Sequence, residues 1–203
     1  MAYVATILLA YLIGTSSMSW YLSKLKHVNL RAGGSGNLGA SNTVALMGWK
    51  AGILVAVHDY GKAILAVLIA RALFPDVPFI SAVAGVASVL GHIFPFYLKF
   101  KGGKGFASFL GMTFALDWKL GLAILLIAAL ITVITDYIVI GTVTTVISVP
   151  TYLGLTRHSW ILAAIVIVAS AVILYKHREN YVRIYKGTEL GLRGVSRGEH
   201  RVK

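Results

Sequence analysis

Residues 120–155 read LGLAILLIAALITVITDYIVIGTVTTVISVPTYLGL, thirty-six positions in which Asp136 is the only charged side chain. The stretch divides into two apolar runs, Leu120–Thr135 and Tyr137–Leu155, joined through the very tight connection Thr135-Asp136-Tyr137. Crossing ~30 Å of hydrocarbon takes roughly 20 apolar residues as a helix, so each run approaches a membrane span. In lipid every backbone N–H and C=O must be satisfied internally, which makes both runs helical.

Similar runs occupy most of the remaining chain, at Tyr3–Leu22, Ala51–Phe74, Phe79–Leu98, Gly105–Leu116 and Trp160–Tyr175. Residues 105–116 number only 12, short enough for a re-entrant segment as well as for a short span. Hydrophobic residues make up 58% of the 203 and charged ones 13%, too little polar surface for a soluble domain of that size. The reading is an all-α integral membrane protein of seven transmembrane helices, one membrane-embedded domain over residues 1–203. No basic stretch precedes Tyr3–Leu22, which favours a retained first helix over a cleaved signal peptide.

The net charge of +12 does not point to nucleic acid, because the basic residues flank apolar spans. Fifteen of them (Lys24, Lys26, Arg31, Lys50, Lys99, Lys101, Lys104 and eight in residues 176–203) fall on one side of a seven-span topology. Arg71, Lys119 and Arg157 fall on the other, and Lys62 lies within a span. That bias places the crowded side in the cytoplasm, the N-terminus outside and the C-terminus inside. Without cysteine the chain has no thiolate nucleophile and no disulfide.

Three polar, glycine-studded islands interrupt the apolar pattern, all on the cytoplasmic side, within loops at about 24–50, 99–105 and 176–203. The first runs Gly34-Ser35-Gly36-Asn37-Leu38-Gly39-Ala40-Ser41-Asn42. Its glycines leave backbone N–H groups bare, and the Asn37 and Asn42 amides can hydrogen-bond hydroxyl or phosphoryl oxygens. Ser41 or Asn42 is also placed to cap the second helix. Ser35 reads as a hydrogen-bonding group, since no neighbouring base would activate it as a nucleophile. The second island, Lys101-Gly102-Gly103-Lys104-Gly105, lacks nucleotide P-loop spacing, and Gly105 stands where that loop has Ser or Thr. Lys104 is its candidate phosphate ligand. In the third, His177, Asn180 and Tyr181 share a helical face, with Arg183 and Glu189 following. His177 is a candidate proton acceptor or phosphate ligand. His58, Asp59 and Lys62 are costly inside a span and read either as a neutralising cluster or as a substrate contact. His92, near the end of its span before Phe94-Pro95-Phe96, reads either as a packing residue or as a pocket-lining one.

Taken together and in this order, the islands resemble the bacterial acyl-phosphate:glycerol-3-phosphate acyltransferase family of the PlsY type. The resemblance rests on Gly34-Ser35-Gly36-Asn37-x-Gly39-Ala40-x-Asn42, Lys101-Gly102-Gly103-Lys104-Gly105-x-Ala107 and His177-Arg178-x-Asn180-x-x-Arg183-x-x-x-Gly187-x-Glu189. Gly91-His92-x-Phe94-Pro95 and the Asp59–Lys62 pair add to it. It implies transfer of a fatty acyl group from acyl phosphate to the 1-hydroxyl of sn-glycerol 3-phosphate at the cytoplasmic face of a bacterial inner membrane, giving lysophosphatidate. No metal or other cofactor is implied. The implied partners are the two substrates, membrane lipids and the enzyme that forms the acyl phosphate. Ser35, Lys104 and His177 would be catalytic, with Gly34, Gly36, Asn37, Gly39, Asn42, His92, Gly102, Gly103, Asn180, Arg183 and Glu189 binding substrate. The glycine-loop N–H groups would help Lys104 hold phosphate.

Two positions depart from the family pattern. Ala45 stands where the first motif usually continues to Arg, and Asp136 lies in a loop that is usually basic. A missing Arg–phosphate pair forfeits about 4 kcal/mol at an effective dielectric near 20, and an acidic loop adds repulsion. Lys50 or Arg31 is the available compensation; a paralogue with another acceptor or a regulatory role is the alternative. A small anion transporter built on His58, Asp59 and Lys62 is the reading from another class, weakened by spans otherwise poor in polar residues.

Overall fold

Helices account for nearly all regular structure in the computed structural model, which describes residues 1–196. The part of the third loop beyond residue 196 lies outside the described residues. The first span, 2–25, is broken: α1 covers Ala2–Thr15 and α2 Met18–Leu25. Ser17 caps α2, its Oγ accepting from Trp20 N at 3.4 Å. A short α3 (Ala40–Met47) precedes the long α4 (Trp49–Leu73). The chain continues with α5 (Ile80–Ile93), a 3-10 turn at Phe96–Leu98, and α6 (Phe106–Leu116). Then follow α7 (Trp118–Thr135), α8 (Ile138–Leu155), α9 (Trp160–Lys176), α10 (Arg178–Tyr185) and α11 (Leu192–Ser196).

Five of these segments are long and apolar enough to cross a membrane: 2–25, 49–73, 80–98, 118–135 and 138–155. Helix α9 bends by 44° into α10, whose Arg178, Glu179, Asn180 and Arg183 belong outside hydrocarbon. Helix α6 has 11 residues and reaches only about 16 Å at 1.5 Å per residue. Its continuous buried stretch from Ser108 to Thr113 is wrapped by α4, α5, α7 and α8, so little of it meets lipid.

Packing depends on small residues, as expected where lipid tails are as apolar as the helices they surround. A Cβ on Gly14 would lie 2.1 Å from Ser88 O, and one on Gly91 would lie 2.2 Å from Tyr11 O, so α1 and α5 touch backbone to backbone. Phe109, Met112, Val149, Val166 and Ile173 fill the centre of the bundle. On α7 only Gly121, Ile124 and Ala128 turn inward, while Leu126, Leu130 and Ile134 face outward as a lipid-contacting surface.

The basic residues sort to two ends. At one, Arg71 donates to Ala115 O at 2.7 Å and Arg157 pairs with Asp117, whose Oδ1 caps α7 by accepting from Lys119 N at 3.0 Å. Four groups of loops meet at the other. There Asp136, in left-handed backbone at φ 70°, closes the α7–α8 turn and holds the tail. Its carbonyl accepts from Leu192 N and its Oδ1 from Arg193 N, both at 2.8 Å.

Helices occupy the expected segments, five of them long and apolar enough to cross a membrane, or six if the bent α9–α10 pair is one span, and two local features differ from the expectation. The first span is kinked at Ser16-Ser17, and α3 was not anticipated. Helix α3 begins after Gly39, which carries no side-chain cap, so neither Ser41 nor Asn42 caps a helix: both lie inside α3.

Candidate active site

Pro95 cannot donate a backbone hydrogen bond, so α5 stops before it and leaves its last carbonyls open. The second island folds back onto them: Gly102 N donates to Ile93 O at 3.0 Å and Gly103 N to His92 O at 3.2 Å. Those two amides are therefore committed within the protein, which revises the expectation that they hold phosphate. What the two residues supply is proximity. A Cβ on Gly103 would sit 2.1 Å from His92 Nε2, and one on Gly102 would sit 2.0 Å from His92 O. The turn thus lies directly on the imidazole, and α6 begins just beyond it with its unpaired N-terminal amides and positive dipole end.

Lys104 leaves this turn and donates to Asn180 Oδ1 on α10. Asn180 Nδ2 donates to Glu189 Oε1 at 2.5 Å, and Arg183 Nε donates to Glu189 Oε2 at 2.6 Å. The second and third islands are therefore one structure, a row of Lys104, Asn180, Glu189 and Arg183. Burial, with Arg183 close by, lowers the Lys104 ammonium to about 8, against the opposing pull of Glu189. It remains largely charged at neutral pH.

His177 sits just beyond α9, buried, with its Nδ1 2.8 Å from Ile173 O. A carbonyl only accepts, so Nδ1 carries the proton and Nε2 keeps its lone pair. Burial, reinforced by Lys104 and Lys176, pushes the ring down to about 4, and a hydrogen bond to Ile173 O opposes it. Of the two roles the sequence left open, the geometry favours a neutral acceptor over a cationic phosphate ligand.

The first island is organised around Asn42. Its Oδ1 accepts from Ser35 N at 2.8 Å, and its Nδ2 donates to Leu30 O at 2.8 Å and to Asn37 O at 3.0 Å. Gly34, at φ 57°, is required there, because a Cβ would lie 2.2 Å from Asn42 Oδ1. With its amide saturated, Asn42 shapes the loop. Ser35 is exposed, and no side-chain hydrogen bond of Ser35 or Asn37 is formed to another described residue. Arg31 ties this loop to the second island by donating to Lys101 O at 2.5 Å. Sequence reading treated Arg31 as a spare cation for the acceptor and had no signal for this tether. Asn42→Ala would orphan three buried or partly buried backbone groups. We expect about 2–4 kcal/mol of lost stability, read as a lower unfolding temperature in detergent.

The two departures have structural settings. Ala45 is buried on α3 beside Asn42 and Thr43. One carboxylate oxygen of Asp136, Oδ1, is engaged by the tail.

Fold and site together define a helical, multi-pass membrane protein whose loops converge on one polar, cationic centre. A family model described as glycerol-3-phosphate acyltransferase matches residues 4–187. The chain is 37% identical over 191 residues to the glycerol-3-phosphate acyltransferase of Coxiella burnetii, covering 93% of this chain and 97% of that one. It is 37% identical over 183 residues to that of Aquifex aeolicus, covering 90% and 95%. Two crystal structures of PlsY, an integral membrane glycerol 3-phosphate acyltransferase, superpose on it at 34% identity and 97% coverage of this chain. The glycerol 3-phosphate form, 98% covered, gives a TM-score of 0.90, and the lysophosphatidic acid form, 99% covered, gives 0.85. The chain belongs to the glycerol-3-phosphate acyltransferase family.

Proposed function

We propose that this protein transfers a fatty acyl group from acyl phosphate to the 1-hydroxyl of sn-glycerol 3-phosphate, releasing lysophosphatidate and phosphate. The observation that carries the reading is the Lys104–Asn180 contact, which sets a cation beside a buried neutral histidine with a free acceptor nitrogen. The substrate hydroxyl oxygen attacks the acyl carbonyl carbon and forms the new ester C–O bond. The C–O bond to phosphate then breaks, and phosphate leaves with the electron pair. His177 Nε2 accepts the hydroxyl hydrogen bond and orients the attack, and the departing phosphate takes the proton. An acyl phosphate is already activated, so positioning and charge stabilisation by Lys104 and the α6 N-terminus supply most of what the reaction needs. Ser35 and Asn37 offer hydrogen bonds from the first loop.

An apolar groove of about 260 Å³ beside Phe106, Leu110, Leu125, Ala129, Val133 and Leu192 begins two residues past Lys104 and suits the acyl chain. The protein works as one membrane-embedded unit of seven crossings, with α6 as the short one. Its site faces the cytoplasm of a bacterial inner membrane, and its N-terminus lies outside. The fifteen-to-three bias of basic residues supports this orientation. Purified protein mixed with palmitoyl phosphate and labelled glycerol 3-phosphate should yield labelled lysophosphatidate. Product no greater than a heat-killed control, in lipid that supports a relative's activity, would refute the proposal.

A further inference from the structure

The mechanism leaves unused a buried charged cluster directly beneath the second island. Lys62 Nζ, on α4, has three neighbours at hydrogen-bond distance: Ser16 O at 2.6 Å, Asp59 Oδ1 at 2.8 Å and His92 Nδ1 at 2.9 Å. The break between α1 and α2 is what frees the Ser16 carbonyl. The other polar neighbours close the cluster. His58 Nδ1 is 3.4 Å from Asp59 Oδ1, His58 Nε2 is 3.0 Å from Ser16 Oγ, and Ser108 Oγ donates to Asp59 O at 2.9 Å. An ammonium has three protons and no lone pair, so these three acceptors use it completely.

We propose that Lys62 is a positioning residue that fixes the tautomer of His92. By donating to Nδ1 it makes that nitrogen an acceptor and leaves the imidazole proton on Nε2. Nε2 is the atom that lies against Gly103, where only a glycine fits. His92 therefore presents an N–H donor at the Gly102–Gly103–Lys104 turn, aimed at a phosphoryl oxygen of the bound substrate. That donor takes the place of the two glycine amides spent on α5. Asp59 Oδ1 is 3.3 Å from the same Nδ1 and, as an acceptor, would select the opposite tautomer; Lys62 is closer and wins. Removing Lys62 should flip the proton from Nε2 to Nδ1, where Asp59 receives it.

The phosphate role rests on the acyltransferase reading, whereas the tautomer does not, and the experiment separates them. Protein labelled with ¹⁵N-histidine is placed in lipid nanodiscs, and the His92 signals are assigned by their loss in His92→Gln. The wild type should show the proton on Nε2, and inorganic phosphate should shift that signal. Lys62→Met should move the proton to Nδ1 and lower kcat/KM roughly tenfold or more, the loss expected for one misplaced hydrogen bond. Lys62→Arg, which keeps the donor, should hold the Nε2–H form. A wild-type proton on Nδ1 overturns the proposal, even if Lys62→Met fails to fold. An unchanged tautomer in folded Lys62→Met, or a signal indifferent to phosphate, overturns it as well. Absent turnover with the Nε2–H form and a phosphate shift would count against the acyltransferase reading alone.

Discussion

Lys104→Ala is expected to lower kcat/KM for acyl transfer by about 10²–10³, the range for losing one donor aimed at developing charge. The protein should still extract and run as a monodisperse species, because among the described residues the Lys104 side chain hydrogen-bonds one group alone, the amide of Asn180. Lys99→Ala, at an exposed cation outside the glycine turn, should be mild. Equal loss in both variants would mean a diffuse electrostatic surface instead of a site. The pH profile makes the expectation sharper. With its ammonium lowered to about 8, free Lys104 is cationic below that pH and loses its charge above it. So kcat/KM, which reports on the free enzyme, should fall as pH rises through about 8. Lys104→Arg should abolish that alkaline limb whatever its effect on rate, since a guanidinium stays protonated.

His177 should produce the second large effect. Replacing it with Asn removes the Nε2 acceptor, while the Asn amide can still donate to Ile173 O in place of the ring Nδ1. The expected result is a fall in kcat of about 10²-fold, the scale on which a misplaced reacting group slows attack, with the unfolding temperature nearly unchanged. Because the ring is lowered to about 4, it is neutral throughout the physiological range. It should contribute no acid limb near pH 6.5, the ordinary histidine value. A rate that falls as pH rises through that value in the wild type and not in His177→Asn would show the ring acting as a cation.

The spans were legible because hydrophobicity in lipid is a long-range, additive signal. A run such as Leu120–Thr135 has no alternative environment, whatever its partners. The islands were legible because glycine, asparagine and lysine are conspicuous between such runs. Which atoms they use was not. Nothing in Lys101–Gly105 says that two of its amides will close the end of α5, since that depends on Pro95 stopping a helix in another segment. Asn42 looks from its type like a ligand group, and only the fold shows its amide filled by Ser35, Leu30 and Asn37. The Asp59–Lys62 pair could be read from its spacing, yet its third partner, His92, lies thirty positions away on α5. The kink at Ser16-Ser17 had no composition signal strong enough to interrupt an apolar run.

The clasp at Asp136 bears on where the working part of this polypeptide stops. The family model ends its match at residue 187, short of Glu189, which steadies Asn180 and Arg183. Glu189 is itself only two positions ahead of Gly191, where a Cβ would lie 2.0 Å from Asp136 Oδ2. A chain trimmed to the family boundary would retain every membrane crossing and every glycine turn. It would nonetheless lose the carboxylate facing Lys104's partner and the anchor that keeps that carboxylate in place. Anyone shortening or fusing this protein should keep the chain through Arg193, whose N–H the Asp136 carboxylate accepts.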